Sequence, residues 1–148
     1  MNFWDTSALI PLILSETSSK DLRQAHDKDR GTVVWWGTFV EGVSALARAE
    51  RERVVSHDQL VGLLARWEDL IDTCIIVEPS SSILSRAKRL LLSHALSAAD
   101  ALQLGAALIG FQERPENAGF FSADKRLLQA ATREGFRTHS VSRKSNVT

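Results

Sequence analysis

Cysteine is nearly absent from this 148-residue chain: Cys74 stands alone, which excludes an internal disulfide and any multi-cysteine zinc site. A reducing compartment is therefore expected, with the cytoplasm as the default. Net charge is missing too. Lys and Arg number 18 and so do Asp and Glu, so no overall positive field draws in a nucleic acid, and any such partner has to be held locally. Polar residues interrupt every apolar run before it reaches the length of a membrane span. The opening Met-Asn-Phe-Trp-Asp carries neither a basic stretch nor a small-residue cleavage site, so no export signal and no membrane association are expected.

What is present is ordinary for a globular protein, with 44% hydrophobic and 24% charged residues. At this length folding buries roughly 70% of the surface the unfolded chain exposes, enough for a core without staples. There are no repeats, linkers or low-complexity tracts. The expectation is one domain over 1–141, followed by a C-terminal tail, 142–148, that frays.

Strand and helix patterns alternate. Asn2 to Trp4 reads as a short strand, and after Asp5 the run Ala8, Leu9, Leu12, Ile13 has helical spacing with Thr6 or Ser7 as N-cap. A helix from about Ser18 to His26 and an apolar strand Thr32 to Trp35 follow. From Thr38 to Arg53 the apolar residues gather on one side of a helical wheel, with Glu41, Ser44 and Arg48 on the other. The pattern predicts a helix over His57 to Ile71, a strand over Cys74 to Val77, and helices over Ile83 to Ser93 and Ser97 to Phe111. The last of these is apolar nearly all round once Asp100 and Gln103 are passed, so it must be covered by other elements. A strand from Ala118 to about Ser122, a helix from Asp124 to Glu134 closed by Gly135, and a strand Arg137 to Val141 complete the reading. This alternation implies an α/β fold: a central, mostly parallel sheet of about five strands with helices on both faces. Ligands of such sheets bind beyond the carboxyl ends of the strands.

Three carboxylates fall on that edge or at a helix start facing it. Asp5 directly follows the first strand, Asp124 follows the strand ending at Ser122, and Asp100 opens the buried helix. Each also fits a plain structural role. Asp5 could form an Asx turn or cap, Asp124 an N-cap, and Ser97-x-x-Asp100 a capping box. Glu41 has the strongest such alternative, since Thr38-x-x-Glu41 matches a capping box and lies on a polar helix face. What points beyond structure is convergence: carboxylates crowded at one edge repel, and a divalent cation relieves this. Hard oxygen ligands with open positions suit Mg²⁺ or Mn²⁺.

Four motifs in order, Asp5-Thr-Ser-Ala-Leu, then Glu41, then Ser97-Ala-Ala-Asp-Ala-Leu-Gln-Leu, then Phe121-Ser-Ala-Asp-Lys-Arg-Leu-Leu ending in Gly135, resemble the PIN domain, and within it the VapC toxins. The resemblance spans nearly the whole chain. It implies a PIN-like fold and a metal-dependent endoribonuclease in which Asp5, Glu41, Asp100 and Asp124 are the catalytic acids around one or two Mg²⁺ or Mn²⁺ ions. Thr6, Ser7 and Ser122 are the supporting hydroxyls, Ser122 standing where Thr is frequent. RNA as substrate, an antitoxin as partner and a homodimer are implied with it. Arg48 and Lys125 are candidate RNA contacts, whereas His94 has the character of a surface or packing residue.

One rival is a phosphate-handling α/β domain. A haloacid-dehalogenase-like phosphatase wants a second Asp two residues after the first, where this chain has Ser7, and a receiver wants its acceptor Asp at a mid-chain strand end, where Glu78-Pro79 is a poor candidate. The other is a PIN fold kept as an inactive interaction module, for which four intact acids are awkward.

Overall fold

Alternation along the strands decides the layering. The computed structural model describes residues 1–14 and 20–142. Its five strands are β1 (Asn2–Trp4), β2 (Thr32–Trp35), β3 (Ile75–Val77), β4 (Gly119–Ser122) and β5 (Arg137–Ser140). Phe3, Val33 and Phe120 enter one apolar core, and the next residue on each strand, Trp4, Val34 and Phe121, enters a second. Successive side chains of a strand point to opposite faces, so both faces of the sheet are buried. The strands accordingly read as apolar runs, and every residue of β2 and β4 is buried.

Seven α-helices stand among the described residues: α1 (Thr6–Leu14), α2 (Lys20–Lys28), α3 (Thr38–Arg51), α4 (His57–Asp72), α5 (Ser81–Ser93), α6 (Ala98–Gly110) and α7 (Lys125–Arg133). Leu9 of α1, Leu22 of α2, Leu46 of α3 and Trp67 of α4 join Trp4 and Phe121 on one face. Ile83 of α5, Leu104 of α6 and Leu127 of α7 join Phe3 and Phe120 on the other. The expected α/β architecture is the one observed, and all four strand pairings are parallel.

Strand order is β3-β2-β1-β4-β5. The chain winds outward from β1 through β2 to β3, then returns to lay β4 against the other side of β1. The winding direction reverses between β1 and β4, and this is the switch point where such sheets open a crevice at their carboxyl edge. Asp5 and Asp124 follow the two strands that flank it.

The expected helix start at Ser18 and the expected tail beyond Ser142 lie outside the described residues. Elsewhere the boundaries move little. α3 stops at Arg51, two residues before the expected end, and β3 begins at Ile75 rather than Cys74. β3 is an edge strand, with Ile75 and Ile76 partly open to solvent. Gly135 takes the expected place after α7 with φ of 104°, and Phe136 N–H donates to Ala131 O while Gly135 N–H donates to Thr132 O, closing the helix end.

The packing of α3 on α4 is set by Gly42. An alanine Cβ there would stand 2.0 Å from Cζ2 of Trp67, an indole that is fully buried and donates Nε1–H to Phe39 O at 3.0 Å. Ala is the better helix former by ~1 kcal/mol, but overpacking a core costs about 1–3 kcal/mol. Gly42→Ala is therefore expected to lower unfolding free energy by up to about 2 kcal/mol in urea titration; a variant more stable than wild type would contradict this contact.

Candidate active site

Asp5 leaves the end of β1 and is only 5% exposed. Its backbone N–H donates to Phe121 O, extending the β1 to β4 ladder past the strand end. The side chain neither caps a helix nor forms an Asx turn, the plain roles the sequence offered. Its Oδ2 accepts from the Ser7 hydroxyl at 2.5 Å and from the Ser122 hydroxyl at 2.8 Å. Ser7 Oγ itself accepts from Ala123 N–H, and Ser122 Oγ accepts from Asp124 N–H. Each serine thus takes a backbone hydrogen and passes its own to Asp5. Thr6 and Ser7 are the first helical residues of α1 rather than its N-cap. Both give their hydroxyls to acids.

Glu41 also departs from its expected structural role. Gly37 occupies the N-cap of α3 with no side-chain cap, and Thr38 is fully buried as the first helical residue. The capping box does not form because both of its members are engaged elsewhere. Glu41 Oε2 accepts from the Thr6 hydroxyl at 2.7 Å and from Gln103 Nε2 at 2.9 Å. The polar face of α3 is the face turned toward α1 and α6.

Asp100 lies in the first turn of α6, with its N–H donating to the Ser97 hydroxyl, the N-cap. It is half-buried at the rim, less enclosed than a fully covered helix would imply. Asp124 does cap α7, Oδ1 accepting from Leu127 N–H at 3.0 Å. That bond uses one oxygen of the carboxylate.

All four acids line one groove of about 1560 Å³, together with Thr6, Ser7, Ser44 and Arg48. Their charges feel one another. Burial pushes the Asp5 carboxyl up from 3.8 to about 6, against the lowering effect of its two serine donors, and the charges of Glu41 and Asp100 push it further. Asp100 is raised above the usual carboxylate range by burial first, then by the charge of Asp124, and more weakly by Glu41, with the Ser97 hydroxyl opposing. Among the described residues no group of three or more Asp, Glu, His or Cys side chains forms a ready-made metal cage. The two observations are compatible. Charges couple over distances longer than a coordination bond, and the four acids line one groove. A set of carboxylates without a closed cage fits a hard, partly hydrated cation such as Mg²⁺, which keeps several waters and uses one or two carboxylates. It would not fit zinc, which favours a closed set of nitrogen or sulfur ligands.

The two cationic candidates separate. Arg48 lines the groove, whereas Lys125 stands exposed at the start of α7, outside its lining. His94 pairs with Glu134 at 3.1 Å, in keeping with a packing role. The residue that sequence reasoning passed over is Gln103. It is 1% exposed and touches Thr6, Thr38 and Glu41. The available signal was a polar side chain within the buried stripe of α6.

No family model matches the chain. It is 29% identical over 106 residues to two proteins of Mycobacterium tuberculosis, Ribonuclease VapC45 and Ribonuclease VapC49, covering 72% of this chain and 74% of each relative. A solved toxin-antitoxin complex from Klebsiella pneumoniae contains a chain of the same fold, with TM-score 0.60 and 18% identity over 85% of this chain and 89% of that one. The resemblance to VapC-type PIN proteins, first drawn from four short motifs, is borne out.

A raised Asp5 fixes a pH dependence for the metal-free protein. Its folded value, about 6, lies above the solvated value of 3.8, so its contribution to stability is full below pH 3.8 and is lost as pH rises through 6. Ionising it at neutral pH costs on the order of 3 kcal/mol. In EDTA, Asp5→Asn should gain stability relative to wild type between pH 4 and pH 7, by up to that amount in urea titrations. A difference that does not change with pH would show that Asp5 is not the buried titrating group.

Proposed function

We propose that this chain, given its resemblance to VapC-type PIN proteins in sequence and in fold, is a metal-dependent endoribonuclease and the toxin of a toxin–antitoxin pair. The observation that carries the reading is the meeting of Asp5, Glu41, Asp100 and Asp124 on one groove at the switch point of the sheet. Of these, Asp5 and Asp100 are the principal candidates to hold Mg²⁺ or Mn²⁺, with Asp124 and Glu41 completing the set. When bound, such an ion supplies the acidity that activates water and the positive charge that offsets charge building on the scissile phosphate.

The chain's own residues do the rest. Ser7 and Ser122 fix the Asp5 carboxylate, and their hydrogens favour its charged form. Thr6 and Gln103 each donate to Glu41 Oε2 and hold that side chain in place. Asp124 Oδ1 caps α7, and Oδ2 has no hydrogen-bond partner among the described residues. Arg48, exposed on the groove wall two turns beyond Glu41, is placed to meet a backbone phosphate. No side chain is needed as a covalent nucleophile.

The same groove supports the antitoxin reading. Ile10, Pro11 and Leu14 of α1 and Val40 and Ala45 of α3 give it an apolar wall beside the acids. A partner segment laid there would cover the site. Exposed Leu84, Leu91 and Leu92 on α5 supply apolar surface of the kind a homodimer buries. No helix among the described residues is long and apolar enough to cross a membrane.

Incubation with RNA in Mg²⁺ or Mn²⁺ is expected to yield internal cleavage that EDTA abolishes. Asp5→Asn and Asp100→Asn should each reduce the rate at least about 100-fold, the scale on which loss of a preorganised electrostatic group acts. Full cleavage in EDTA, or full metal-dependent cleavage by either variant, would refute the assignment.

A further inference from the structure

The geometry points to Gln103 as the positioning residue that sets where the cation sits, by fixing Glu41 relative to the other acids. This rests on the nuclease reading above and deepens it. Gln103 lies in α6 among buried Ala101, Leu104, Ala106, Ala107 and Leu108, where an apolar side chain would be the ordinary choice. Its amide nitrogen reaches Glu41 Oε2 at 2.9 Å, Thr38 Oγ1 at 3.0 Å and Thr6 Oγ1 at 3.1 Å. Those contacts join three of the four acid-bearing segments. Thr6 opens α1 directly after Asp5, Glu41 is on α3, and Asp100 lies one turn before Gln103 on α6, on the same side of the helix.

Hydrogen-bond polarity fixes the orientation. The Thr6 hydroxyl donates to Glu41, so its oxygen is free to accept from Gln103. The amide has two hydrogens for three acceptors, and one must go to the carboxylate. Turning the amide over would set Oε1 against Glu41 Oε2, oxygen facing oxygen. The orientation that serves Glu41 leaves Gln103 Oε1 buried without a partner among the described residues. An unpaired buried carbonyl weakens a fold, and methionine would fill the site without one. Stability alone therefore does not explain a glutamine here. The gain is at Glu41, whose Oε2 is held by two donors while Oε1 has no partner among the described residues.

The test is Mn²⁺ binding to the full-length chain, read from the free-ion signal in electron paramagnetic resonance, with thermal unfolding alongside. Wild type should bind. Gln103→Met should stay folded yet bind about 10- to 100-fold more weakly, the scale on which residues behind metal ligands act. Adding Gln103→Met to Glu41→Gln should cost less than about twofold more, because the two act through one carboxylate. Multiplying effects, or a Gln103→Met protein that binds as wild type does, would overturn the proposal and leave the nuclease reading standing. A wild type that binds no Mn²⁺ would overturn both. Should Gln103→Met not fold, Thr38→Val carries the test: it removes only the far anchor of the amide, and several-fold weaker binding is expected, unchanged binding being the refutation.

Discussion

A carboxylate that is 5% exposed at the end of a central strand can ionise only if hydrogens or a cation meet its charge, and Asp5 constrains its surroundings accordingly. Ser7 and Ser122 each turn a hydroxyl to it, and each is supplied by a backbone N–H from the turn after β4. That turn must then sit against the start of α1, which is where Asp124 begins α7. The neighbouring charges of Glu41 and Asp100 make the same problem worse. Hydroxyl donors reduce the repulsion without removing it, and the carboxyl stays well above its solvated value.

The layering was legible in the sequence because strands buried on both faces read as apolar runs, and because Gly135 marks a helix end by a backbone conformation that other residues avoid. Asp124 was legible twice, as a cap and as an edge acid, and it is both. Glu41 was legible only through the family resemblance, and Gln103 was not. Thr38-x-x-Glu41 satisfies the pattern of a capping box, and the pattern holds no information on what else lies within reach. Once α6 lies against α3, Gln103 reaches the Thr38 hydroxyl and Glu41 at once, and Gly37 takes the cap position with no side-chain bond. The helical wheel located the polar face of α3 correctly, and polar there means facing the groove.

Zero net charge also takes on meaning in the structure. An acidic groove repels a polyanion, and among the described residues that line it Arg48 is the one Lys or Arg. The acids and the apolar wall of α1 and α3 share that groove. Whatever covers the wall also limits access to the acids.

Pairing β1 with β4 has a temporal side. Asp5 is synthesised first, and the hydroxyl of Ser122 that holds it arrives 117 residues later. Closing so long a loop is entropically slow and gains nothing until β4 docks beside β1. A nascent chain therefore carries Asp5 long before it carries the pocket, and the four acids can line one groove only after Asp124 has been added.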